Sequence, residues 1–120
     1  MTSTRRDTGR DGESIAAAWL ERNGFRILAR NVHLRHAELD LVAIEGDVLC
    51  IIEVRRRRTH RFGGAAESVG PAKQRRIVRA TRELLARRTP PLPRFETLRF
   101  DVVALEPDGH LHLYRNAFTA

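Results

Sequence analysis

The chain has 120 residues, 42% of them hydrophobic and 31% charged, with a net charge of +7. That length fits one domain with a single core and leaves no room for a second. No stretch approaches the roughly 20 apolar residues of a membrane span, no apolar run opens the chain as a signal peptide would, and the single cysteine, Cys50, excludes an internal disulfide and argues against a thiolate metal site. A cytoplasmic protein with no membrane partner is expected, with Cys50 as a small core residue.

The positive charge is concentrated. Residues 53–88 carry twelve Lys or Arg against three Glu, a local net charge of +9, so the remainder is slightly acidic. Such a region attracts a polyanion before any specific contact forms; the plain alternative is a solvated, arginine-rich surface.

In chain order, residues 1–11 are basic, lack an apolar pattern and are expected to be disordered, with residues 12–120 forming the domain. From Gly12 to Arg22, "GESIAAAWLER" places Ile15, Ala18, Trp19 and Arg22 at helical spacing, and Asn23-Gly24 stops the helix. Glu13 lies in its opening turn, where the helix dipole alone favours an acid. "FRILARNVHLR" reads as a strand in two pieces, and "ELDLVAIEGDVLCIIEVRRRR" as a hairpin turning at Gly46-Asp47. A second helix runs from about Pro71 to Arg88, with Ile77, Ala80, Thr81, Leu84 and Leu85 on one face and basic residues on the others. After the connection "TPPLPRF", "TLRFDVVALE" alternates Leu98, Phe100, Val102 and Ala104 on one side, turns at "PDG" and returns as "HLHLYRNAF". The expected fold is α/β, a mixed sheet with flanking helices.

The hairpin raises a chemical problem. A two-residue turn at Gly46-Asp47 opposes Ile44 to Leu49, Val42 to Ile51, Asp40 to Glu53 and Glu38 to Arg55, while the other face stays apolar. Opposed residues have Cβ atoms about 5 Å apart, where like charges destabilise the pair. At an effective dielectric of about 20, two unit charges at that distance repel by roughly 3 kcal/mol. A cation must therefore sit beside them. Arg55 could supply it as a structural ion pair, or Mg²⁺ or Mn²⁺ could bind Asp40 and Glu53 with Glu38 as a third acid. The metal reading gains from the run that follows. Phosphodiester hydrolysis needs a metal to activate water and cations to offset charge, and Arg55, Arg56, Arg57, Arg58 and Arg61 suit bidentate contact with phosphates. Lys73, alone among 21 arginines, begins the inward face of the second helix and can move a proton, which arginine essentially cannot.

With these residues in place, the chain resembles the YraN family, which has the PD-(D/E)xK restriction-endonuclease-like fold and is related to archaeal Holliday-junction resolvases. The motifs that carry the resemblance are "GRDGESIAAAWLERNGFRILARNVHLRHAELDLVA", "IIEVRRRRTHRFGGAAESVGPAKQ", "RFDVVAL" and "NAF". It implies a restriction-endonuclease-like sheet, with Glu13 as the helix acid, Asp40 as the strand acid and Glu53 as the acid after the turn. The pattern's lysine falls on Arg55, and the family's helix lysine falls on Lys73. Ala37 stands where the family usually has Gly, a change that costs nothing if the backbone there is not left-handed. Asp101 matches a further motif and is read as a structural ion-pair partner for an arginine. The resemblance implies a Mg²⁺-dependent endonuclease acting on branched or duplex DNA, DNA before RNA, with a homodimer as the form to look for. The competing function is a nucleic-acid-binding module or assembly factor without catalysis. In either case Arg55, Arg56, Arg57, Arg58, Arg61, Lys73, Arg75 and Arg76 are the expected nucleic-acid contacts.

Overall fold

The computed structural model describes residues 5–57, 69–87 and 90–120. Its elements are α1 (Arg5–Arg22), β1 (Arg26–His33), β2 (Glu38–Glu45), β3 (Val48–Arg56), α2 (Pro71–Arg87), β4 (Thr97–Leu105) and β5 (Leu111–Phe118). The five strands form one sheet in the order β1-β2-β3-β4-β5. β3 and β4 run parallel while the other neighbours are antiparallel. A parallel pair needs a long crossover, and the segment containing α2 supplies it. This is the mixed α/β fold expected from the sequence.

α1 begins at Arg5, ahead of the expected start at Gly12. No proline interrupts residues 5–11, so the helix continues backwards from its packed turns despite the cost of Gly9 and Gly12. It stops where expected. Gly24 takes a φ of 93°, and the N–H groups of Asn23 and Phe25 return to the carbonyl of Leu20 at 2.9 and 3.0 Å.

The two helices lie against opposite faces of the sheet. Ala16, Ala17 and Leu20 of α1 pack on Leu41, Ala43, Cys50, Ile52 and Val103. Ile77, Ala80 and Leu84 of α2 pack on Val42, Leu49, Ile51, Phe100 and Val102. Two details differ from the sequence reading. Ile15 is 47% exposed and Ala18 also faces outward, because small side chains at positions 16 and 17 let α1 sit close to the sheet. Leu85, expected on the inner face of α2, is 38% exposed. Cys50 is a buried free thiol, as expected of a core residue. Among the described residues no helix is long and apolar enough to cross a membrane.

Candidate functional site

The hairpin register is the one expected. Glu45 opposes Val48, and the ladder continues through Ile44–Leu49, Ala43–Cys50 and Val42–Ile51 to Leu41–Ile52. Gly46 holds the turn with a φ of 62°. Beyond Leu41 the ladder ends, one residue before Asp40 would face Glu53. Asp40 Oδ2 instead accepts the backbone N–H of Val54 at 2.9 Å, so a side chain takes the role that a strand carbonyl would have had. The strand also changes face here. Leu39 and Val42 share one core cluster, whereas strict alternation would place them on opposite sides. On the neighbouring strand, Asn31 takes a φ of 51°, a conformation that asparagine tolerates better than most residues. The result is a fork between β2 and β3, open to both faces of the sheet.

Side chains enter the fork from three elements. Glu13 reaches it from α1 because it shares a helical stripe with Ala16, Ala17 and Leu20, all buried against the sheet. Glu53 projects from β3 on the side of Ile51, and Lys73 from the first turn of α2, on the stripe of Ile77 and Leu84. Together with Asp40, Gly12, Arg55 and Arg56 they line a cleft of about 290 Å³. Glu53 is only 6% exposed. Its Oε1 lies 2.6 Å from Lys73 Nζ and 3.8 Å from an Arg55 guanidinium nitrogen. The cation closest to the paired acids is therefore the lysine of a distant helix, with Arg55 as a second, longer partner.

This positive charge does not reach the rest of the cluster equally. Burial and then the charge of Glu53 push the Asp40 carboxyl up to about 8, against the opposing pull of the Val54 N–H. Burial likewise raises Glu13, with Asn31 and Arg30 drawing it back down. Glu13 Oε2 is buried with no hydrogen-bond partner, an unsatisfied acceptor of the kind that folded proteins rarely leave. The cleft thus holds more acid oxygen than its own cations satisfy. Asp40 and Glu53 are the residues that could hold a hard cation, although among the described residues no three His, Cys, Asp or Glu side chains form a ready-made metal cage.

Other expected site residues lie elsewhere. Glu38 was expected opposite Arg55, but the ladder has ended before it. It pairs with His33 across β1, their side chains 3.9 Å apart and exposed, and it does not line the cleft. Arg56 lies at the cleft edge, with a guanidinium nitrogen 3.4 Å from where a Cβ on Gly12 would sit. Arg57 turns away to Glu106, 3.5 Å off, while its backbone N–H donates to the carbonyl of Leu105. Arg75 and Arg76 are exposed on α2. Arg58 and Arg61 lie outside the described residues. Asp101 is structural as expected: wholly buried, it accepts two hydrogen bonds from Arg99, at 2.8 and 2.9 Å, and one from the Asn116 N–H. Asn31 and Asn116 are the non-glycine residues with positive φ among those described, so alanine at position 37 carries no backbone strain.

Two contributors to the site escaped the sequence reading. Asn31 takes its left-handed φ on β1 beside the fork and draws the Glu13 carboxyl down against the effect of burial; an asparagine inside a strand pattern is the signal that could have marked it. Gly12 forms a side-chain-free wall of the cleft, marked only by being a glycine within a helix.

Comparison with known proteins agrees with this arrangement of motifs. A family model described as "Uncharacterised protein family UPF0102" matches residues 12–105. A UPF0102 protein of Symbiobacterium thermophilum is 46% identical over 119 residues, covering 96% of this chain and 98% of its own. One from Alcanivorax borkumensis is 42% identical, covering 91% of this chain and 86% of its own. Another, from Anaeromyxobacter sp., is 46% identical over 95% of this chain and 86% of its own length. With a family model across residues 12–105 and such identity along nearly the whole chain, this protein belongs to the UPF0102, or YraN, family.

Proposed function

We propose that the fork is a metal-dependent phosphodiester hydrolase site acting on nucleic acid, DNA before RNA, with Asp40 and Glu53 as ligands of Mg²⁺ or Mn²⁺. The observation that carries this reading is a pair of acids, buried Glu53 and half-buried Asp40, at the split between two strands, short of positive charge and rimmed by Lys73, Arg55 and Arg56. The donor set fits such a cation. Mg²⁺ is commonly held through one or two carboxylates, with waters and substrate phosphate completing the shell, so the lack of a three-residue cage is no obstacle. Glu13, whose Oε2 is left without a hydrogen-bond partner, lines the same cleft and supports the reading as an acceptor still to be satisfied.

Bound there, the metal would supply Lewis acidity and an activated water. The chain's own residues do the rest. Asp40 would have to give up its proton to hold a cation, which would link binding to pH. Lys73 leaves Glu53 for the phosphate, offsets its charge and can pass a proton to the leaving oxygen. Arg55 offsets charge on the same side without moving a proton, and Arg56 holds a flanking phosphate at the mouth.

One observation favours a second reading. The contact of 2.6 Å between Lys73 and Glu53 could be a permanent internal ion pair, leaving a nucleic-acid-binding module or assembly factor without catalysis. Calorimetric titration of Mg²⁺ and Mn²⁺ separates the two, using the wild type and the Asp40→Asn, Glu53→Gln variant in the presence of a branched DNA duplex. Heat in the wild type alone supports the metal site, and Asp40→Asn should then abolish cleavage while DNA binding persists. No heat in either protein leaves only the binding module.

A further inference from the structure

We infer that the outer flank of α2 is a second nucleic-acid track, holding a phosphodiester backbone on the side of the helix opposite Lys73. At 3.6 residues per turn, Lys73 falls on the stripe of Ile77, Ala80 and Leu84, which are buried against the sheet. Arg75, Arg79 and Arg82 fall roughly half a turn away and are exposed. With Pro71, Gln74 and Val78 of the same helix, and Thr119 and Ala120 across from it, they line a groove of about 380 Å³, separate from the fork, and no acidic side chain lines it.

Arg55, Arg57, Arg87, Arg99 and Arg115 all have acidic partners. Among the described residues Arg75, Arg79 and Arg82 have none. Arg26, Arg76 and Arg94 also lack an acidic partner among the described residues, but Arg75, Arg79 and Arg82 line one groove together, which distinguishes this flank from scattered surface charge. Like charges at i,i+4 and i,i+3 destabilise a helix, and the acid one turn beyond Arg79, Glu83, pairs with Arg87 and not with this row. An external anion would remove that conflict.

The spacing suits a phosphate chain. The helix rises about 6 Å from Arg75 to Arg79 and about 4.5 Å more to Arg82, intervals of one to two phosphate steps at about 3.4 Å of axis per strand. Gln74 adds an amide. Its Nε2 donates to the carbonyl of Val69 at 2.8 Å, which fixes the side chain at the head of the groove. A bilayer surface fits less well, because interfacial helices insert an apolar face and no exposed large hydrophobic lines this groove.

The track requires the partner to be nucleic acid, as proposed for the fork, but not that the fork hydrolyses it. The test follows binding of a labelled DNA duplex by fluorescence anisotropy across a salt series. Arg79→Ser with Arg82→Ser should weaken binding on the order of tenfold at low salt and reduce the slope of log affinity against log salt by roughly 2. Arg79→Lys with Arg82→Lys should keep that slope, and Mg²⁺ heat at the fork should be unchanged in both. A wild-type slope in the serine variant overturns the track. So does a serine variant that loses binding to anionic vesicles while keeping its affinity for DNA. Arg55→Ser with Arg56→Ser separates the two proposals. If it loses the slope while the α2 variant does not, the track fails and the fork reading stands. If only the α2 variant loses it, the track stands and the fork makes no phosphate contacts.

Discussion

The two ends of β2 hold two clusters of charge, built from similar residues and left in opposite states. At the turn end, Glu45 faces Arg99 at 2.7 Å and Arg115. Arg99 in turn holds the fully buried Asp101, whose Oδ1 also takes the Asn116 N–H and so closes the irregularity between β4 and β5. Each acid has an arginine. The hydrogen bond from Arg115 is the largest influence drawing the Glu45 carboxyl down to about 2. At the fork, five residues or about 17 Å along the strand, Asp40 is pushed up to about 8 and Glu13 keeps an oxygen without a partner. The contrast separates charge that specifies a structure from charge held in reserve. A satisfied buried cluster rigidifies its surroundings, whereas an under-satisfied one costs stability and persists where a ligand can complete it.

The largest effect is expected where the satisfied cluster is broken. Arg99→Met leaves Asp101 buried without its cation, and removing one partner of a buried pair costs about 3–5 kcal/mol. Chemical denaturation should show that loss. A change below about 1 kcal/mol would mean that Asp101 finds another partner.

The fork should respond in the other direction. The Asp40 carboxyl keeps its proton to a higher pH when folded, about 8 against 3.8, so the folded state binds more protons across that window and stability falls as pH rises through it. Asp40→Asn removes this titration. Without metal, its stability relative to wild type should grow from pH 4 to pH 8, reaching roughly 1–3 kcal/mol, while the two proteins converge near pH 4. Parallel curves would show that the acid is already ionised in the folded protein.

The smallest effect belongs to the rim of the satisfied cluster. Arg115 is half exposed at 51% and lies over the Phe25 ring at 5.6 Å. Arg115→Ala should cost about 1 kcal/mol or less, because Arg99 still holds Glu45. A loss as large as that of Arg99→Met would make the four residues one indivisible network.

Legibility in the sequence followed the range of the interaction. The Gly46-Asp47 turn set a register that held to Leu41–Ile52, since one slipped residue would exchange the two faces of β2 and send Leu41 and Ala43 to the side that Val42 fills. Asp101 was recognisable as an ion-pair partner from its place out of phase with Phe100 and Val102. The inner face of α2 followed from its period, except for Leu85. α1 misled in part, because Ile15 faces outward while Trp19 packs at the edge of the core, and the sheet selected the small Ala16 and Ala17 for its centre. Glu38 misled because pattern alone continued the ladder past the point where the strands separate.

The sequence by itself determined the elements, the hairpin register, the acids that meet near its end and the basic belt beside them, because periods, turns and charge runs are local. Only the tertiary structure decided which cation the acids receive. Lys73 stands twenty residues after Glu53, and its contact depends on how α2 settles against the sheet. The same packing brings Glu13 in from the opposite face through the fork, and it turns Arg75, Arg79 and Arg82 outward. Those choices depend on the close fit of small and large side chains across the whole core.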